Sequence, residues 1–168
     1  MKKLLFALAA LPLALAIPAT VTGADTNQPT DFRADLTGTE EVPAVPTDGS
    51  GEATFQISED ETSITYQLSA EDMTSNILQA HIHLGRKGVN GPIVAFLFDA
   101  RPTGVPGDEL EVEGVIRAAN LIGPLQGHPF SELIAAIRSG NAYANVHTTV
   151  NPGGEVRGQI VSDEEDVG

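Results

Sequence analysis

Apolar and polar residues alternate with a period of two along most of this chain, the mark of strands that bury one face. Phe32–Leu36 starts the series. Gly51–Ile57 and Ser63–Leu68 follow, the second placing Ile64, Tyr66 and Leu68 on one face. Ile77–Leu84 alternates again, and Ile93–Phe98 is an apolar run of the kind that forms a buried strand. Leu110–Arg117, Tyr143–Thr148 and Glu155–Val161 complete the predicted strands. Turn formers separate them: Asp48–Gly51, Ser58–Glu61, Gly88–Pro92, the Pro- and Gly-rich Arg101–Gly107, and Asn151–Gly154. One segment breaks the period. Ser131–Arg138 spaces its apolar residues as a helix does, with Ser131 as a candidate cap and Gly140 just past the end. The expected fold is all-β: an antiparallel, Greek-key-like sandwich or barrel with one short helix at 131–138.

The ends of the chain differ from its middle. Met1-Lys2-Lys3 precedes an apolar run from Leu4 to Ile17 and a small-residue exit ending at Ala24. That order predicts a signal peptide over residues 1–24, with Ala16 and Ala19 as alternative cleavage points, and a secreted or periplasmic protein. The run is too short for a comfortable membrane span, and no later segment is long enough to be one. Residues 25–30 read as a polar leader, 31–161 as one domain, and 162–168 as a solvated acidic tail with a lesser prospect of divalent-cation binding.

Composition narrows the chemistry. The chain has no cysteine, which removes disulfides, thiolate ligands and cysteine nucleophiles together. Its formal net charge is −14, and two of its nine Lys and Arg residues, Lys2 and Lys3, belong to the leader. Such a surface repels nucleic acid and offers no basic stripe for anionic lipid. No Gly-x-Ser-x-Gly elbow, phosphate loop or dinucleotide fingerprint is present. Glu40-Glu41, next to Val42-Pro43, reads as a turn rather than a glycosidase dyad.

Three of the four histidines lie on two of the alternating segments. Gln79, His81 and His83 share a face of one strand; Tyr143, Asn145 and His147 share a face of the other. If these strands are neighbours, three imidazoles meet and can hold one metal ion. Nitrogen ligation without thiolate favours copper, with zinc next and iron also compatible. The alternative is that the histidines only hydrogen-bond among Gln79, Asn145 and Thr148. His128, in Gly127-His128-Pro129 at the helix entry, is a candidate fourth ligand or simply an exposed side chain. Tyr143 and Asn145 are candidates to orient the ligands, or else serve as core cover and loop tie. Arg157 either guides an anion or pairs with Glu155 or another acidic neighbour.

Several motifs together resemble the CHRD domain, named after the extracellular growth-factor antagonist chordin. They are Leu36-Thr-Gly-Thr-Glu-Glu-Val-Pro-Ala-Val45, Gly51-Glu-Ala-Thr-Phe55, Ala80-His-Ile-His-Leu-Gly85 with Asn90-Gly-Pro-Ile-Val94, and Gly140-Asn-Ala-Tyr-Ala-Asn-Val-His-Thr148 followed by Pro152-Gly-Gly-Glu-Val-Arg-Gly-Gln-Ile160. The resemblance spans roughly residues 31–161 and implies an extracytoplasmic β-sandwich without one fixed activity. A further likeness is to Cu/Zn superoxide dismutases, in the order His-x-His, a late His, then Gly-Gly and Arg. It implies His81, His83 and His147 as copper ligands, His128 at the place of the bridging histidine, and Arg157 as the anion guide. The missing cysteines and the lack of further histidines limit the implied site to a single metal.

Two kinds of function follow. One is an oxidoreductase that disproportionates superoxide at a histidine-bound copper. The other is non-enzymatic: a metal buffer or chaperone, or a module that recognises an extracellular protein. The charge weighs on the first, because superoxide is an anion and needs a local positive funnel from Arg157, Arg86 or Lys87. Salt screening over about 8–10 Å softens that objection.

Overall fold

A computed structural model describes residues 28–163, so the expected leader at 1–24 and the tail beyond Asp163 lie outside the described residues. Nine strands follow in order: β1 (Asp31–Thr37), β2 (Ser50–Ile57), β3 (Ser63–Glu71), β4 (Ile77–Leu84), β5 (Ile93–Asp99), β6 (Leu110–Arg117), β7 (Ala142–Thr148), β8 (Val156–Gln159) and β9 (Val161–Ser162). All pairings are antiparallel, and the sheet runs β5-β4-β7-β8-β1-β2-β3-β6, with β9 also on β1. The sheet curls until its two edge strands approach each other. The expected all-β antiparallel architecture is therefore present, as a nearly closed barrel.

Two bulges in β5 help bring the edges together. Leu97 is passed over between the pairs Ala80↔Phe98 and His81↔Phe96, and Val94 between Ile82↔Ala95 and His83↔Ile93. Extra residues of this kind bend a strand. The carbonyls at both positions are taken up from elsewhere: Tyr66 Oη donates to Leu97 O at 2.7 Å, and Ile122 N to Val94 O at 2.9 Å. The segment after β6 is thereby laced to β5.

Inside, the alternation does what it predicts. Phe32, Ala34 and Leu36 of β1, Phe55 and Ile57 of β2, and Ile64, Tyr66 and Leu68 of β3 are buried in one core with Ala80 and Ile82 of β4. The helix α1 (Ser131–Arg138) adds Leu133, Ile134 and Ile137. Its bounds match the expectation, but Ser131 is not its cap: Phe130 holds that position and no side chain caps the end. Its C-terminus closes through Gly140, at φ +66°, with Gly140 N bonded to Ile137 O and Asn141 N to Ala136 O.

The expected last strand, Glu155–Val161, is corrected to two short ones. β8 crosses from β7 to β1, and β9 continues on β1 through Arg33↔Val161 and Phe32↔Ser162. Ser162 is thus a strand residue rather than the first residue of a tail.

Candidate metal centre

Strands β4 and β7 are direct neighbours, paired Gln79↔His147, His81↔Asn145 and His83↔Tyr143. On the next strand, Asn145 faces Arg157 and Tyr143 faces Gln159. Ala80 and Ile82, like Ala142, Ala144 and Val146, point into the core, so the three histidines stand on the outside of the barrel. They are nevertheless buried, because loops cover them; His81 is 0% exposed, His83 7% and His147 6%.

One ring nitrogen from each histidine lies within 4.8 Å of the others. His81 Nδ1 is 3.0 Å from His147 Nε2. His83 Nδ1 faces Gly91 O at 2.9 Å, and His147 Nδ1 faces Pro152 O at 3.0 Å. A carbonyl oxygen only accepts, so both Nδ1 atoms carry the hydrogen, and in neutral rings both Nε2 atoms are bare lone pairs. Metal-binding histidines are commonly oriented by this kind of contact. His81 Nε2 and His83 Nε2 are buried with no hydrogen-bond partner among the described residues. Burial first, then the neighbouring histidines, pushes His81 down to about 3. Burial also takes His147 down to about 4 against the pull of Pro152, and lowers His83. The rings are therefore neutral at pH 7. Two neutral imidazoles with bare Nε2 atoms, and a third ring whose Nδ1 lies 3.0 Å from one of them, suit a cation.

Aromatic packing holds these rings in place. Tyr143 stacks on His83 with centroids 4.7 Å apart and planes 10° from parallel, and Arg157 Cζ lies 3.4 Å from the Tyr143 ring centroid. Phe96 meets His81 edge-on at 4.7 Å. Arg157 is 1% exposed and gives its N–H groups to Asn90 Oδ1, Val89 O and Arg86 O. Among the described residues it makes no ion pair with Glu155; a stack on Tyr143 and a tie to the 86–90 loop hold it instead.

His128 is not brought to this group. It stands exposed on the helix entry, with Nδ1 3.1 Å from Glu132 Oε2, one helical turn on.

Two carboxylates read differently from the sequence, Glu41 as a turn residue and Glu155 as a partner for Arg157, complete the surroundings. Glu40 pairs with Lys87 at the surface at 2.9 Å, as a turn residue should, but Glu41 is only 7% exposed. Burial raises its pKa, opposed by the Arg157 charge and by hydrogen bonds from Asn145 and Val42. Glu155 is wholly buried. Burial alone would raise its pKa, yet donors from Thr148, Thr74 and Asn151 outweigh that and hold it at about 2. Thr47 also donates to it, at 2.8 Å. This one carboxylate ties the 42–49 loop, Thr74 and the turn that carries Pro152, and so fixes the carbonyl that orients His147. Replacing Glu155 by Gln is expected to lower unfolding free energy by about 2 kcal/mol, since several charge-assisted bonds weaken and one acceptor becomes a donor. Chemical denaturation checks this; an unchanged midpoint would remove Glu155 from the account.

A family model for the CHRD domain matches residues 32–160, most of the chain. The chain belongs to the CHRD domain family. Comparisons with curated proteins and with solved structures gave no match. CHRD domains occur in extracellular proteins, and among the described residues no helix is long and apolar enough to cross a membrane. The histidine pair and the late histidine that carried the resemblance are the three residues that converge in this CHRD barrel.

Proposed function

We propose that this CHRD protein works outside the cytoplasm as a holder of one metal ion, bound by His81, His83 and His147. The observation that carries the reading is the pair of backbone carbonyls, Gly91 O and Pro152 O, that turn two buried imidazoles so that their lone pairs face inward. Copper is the metal the donor set favours, because imidazole nitrogen without thiolate binds Cu(II) most tightly among the divalent first-row ions, with zinc and iron as the alternatives. The apolar leader read at residues 1–24 supports the compartment.

Holding the metal is a better supported role than turning over superoxide. Dismutation needs an anion drawn to the metal, and Arg157 is buried, stacked on Tyr143 and committed to three oxygens. Its role in this reading is to position Tyr143, and through it His83. The test is elemental analysis of protein taken from its native compartment, with superoxide consumption assayed on the same sample. One equivalent of copper without turnover is expected. Copper with turnover that chelation abolishes would restore the dismutase reading, and protein that neither carries nor takes up metal would overturn both.

A further inference from the structure

His147 Nε2 has a second neighbour besides His81. Asn145 Oδ1 lies 3.0 Å from it, on the same outer, loop-covered face and with Asn145 only 3% exposed. Because His147 Nδ1 already gives its hydrogen to Pro152 O, Nε2 is a bare acceptor in the neutral ring. Two acceptors therefore face each other at hydrogen-bond distance. Turning the amide over would ordinarily relieve this, since the NH2 group would then donate to the ring.

Glu41 opposes that turn. Its carboxylate, beside the Arg157 cation, stands on the Nδ2 side of the Asn145 amide, where a Cβ at Gly154 would meet both groups. A carboxylate accepts only, so the amide presents its NH2 to Glu41 and its oxygen to the imidazoles. Gly154 leaves room for the arrangement: a Cβ there would overlap Glu41 Oε1 and stand 2.9 Å from Asn145 Nδ2. His83, whose own Nδ1 is taken by Gly91 O, also interacts with the Asn145 side chain, in the sense that favours a positive charge there. His81 Nδ1, 3.0 Å from His147 Nε2, can donate to it, so the amide oxygen is the acceptor left facing the rings without a donor of its own, a place that a bound cation would fill.

We propose that Asn145 Oδ1 is a further ligand of the same metal ion, making a centre of three imidazole nitrogens and one amide oxygen, with Glu41 as the positioning residue that keeps the oxygen turned inward. This rests on the metal reading above. It assigns Asn145 to the metal itself, whereas its place in the sequence suggested a residue that orients ligands. An oxygen in the set also widens the acceptable ions beyond copper, since carbonyl oxygens suit harder cations than imidazoles do.

The test uses Co(II) as the probe, with its visible d–d spectrum and its affinity measured on wild type, Asn145→Ala, Asn145→Asp and His83→Ala. Asn145→Ala is expected to bind about 10- to 100-fold more weakly, the range seen when one supporting group of a metal site is lost, and to change the spectrum. Asn145→Asp keeps an oxygen in place and is expected to retain the wild-type band pattern with equal or tighter binding. An Asn145→Ala spectrum and affinity within twofold of wild type, while His83→Ala abolishes binding, would overturn this inference and leave the three-histidine reading standing. Should Asn145→Ala fail to fold, weaker binding by Asn145→Asp would overturn it. Wild type that takes up no Co(II) at all would overturn both.

Discussion

Replacing His83 by Ala is expected to weaken Cu(II) binding on the order of 10³-fold, more than the 10- to 100-fold typical of groups that only support a ligand. His83 supplies a bare Nε2 that is buried and without another partner, so nothing adjacent replaces it. The same property predicts a modest effect on the fold. Removing an orphaned buried nitrogen relieves a desolvation cost, while losing the ring leaves Tyr143 without its stacking partner, so the metal-free variant should lie within about 2 kcal/mol of wild type. His81→Ala should lose metal as severely and more stability as well, because that ring is wholly enclosed between His147, His83 and Phe96. Competition against a chelator of known affinity, paired with urea unfolding of the metal-free variants, measures both quantities. Retained affinity in His83→Ala would remove it from the ligand set.

The second large effect is sensitivity to acid. His81 and His147 are held at about 3 and about 4 in the fold, against an ordinary value of 6.5. Below pH 6.5 the unfolded chain binds protons that the folded chain refuses, so stability falls as pH falls. Each unit of such a shift is worth about 1.4 kcal/mol, and the two histidines together make the loss several kcal/mol by about pH 4. Glu155, at about 2, acts in the same direction: its contribution is full above the ordinary carboxylate range and is lost as pH drops toward 2. The metal-free protein should therefore lose stability steadily from about pH 6.5 downward. Bound metal should steepen the loss, because protons and the ion compete for the same lone pairs. Urea midpoints of both forms between pH 7 and pH 4 check this. A flat profile for the metal-free protein would mean that the three rings are more solvated than their burial indicates.

How far the sequence carries this account depends on the range over which each residue's partners lie. Strand alternation and the helix at Ser131–Arg138 are local patterns, and they appear in the fold apart from the split of the last strand and the cap at Phe130. The convergence of His81, His83 and His147 was readable because each sits on one face of an alternating segment; that the segments pair was an assumption the sheet bears out. Glu41 was not readable. In sequence it is half of a charged pair in a turn, and its neighbours Asn145, Arg157 and Gly154 come from two strands and the turn between them, more than a hundred residues later. The role of Glu155 is hidden for a similar reason, since its donors come from three separate segments: the loop at Thr47, Thr74, and the turn from Thr148 to Asn151. For Arg157 the sequence offers Glu155 or another acidic neighbour as partner; in the fold its charge acts on Glu41, while an aromatic face and loop oxygens, which no local pattern shows, hold the guanidinium. His128 matched a position in an ordered motif, but the helix entry that carries it lies elsewhere on the surface.

The most direct test of the central claim is titration of metal-free, full-length protein with Cu(II), read by electron paramagnetic resonance. One equivalent is expected to give a single species whose nitrogen couplings come from histidine imidazoles, and His81→Ala, His83→Ala and His147→Ala should each lose that species. A signal that survives all three replacements, or no tight site in the wild type, would contradict the account.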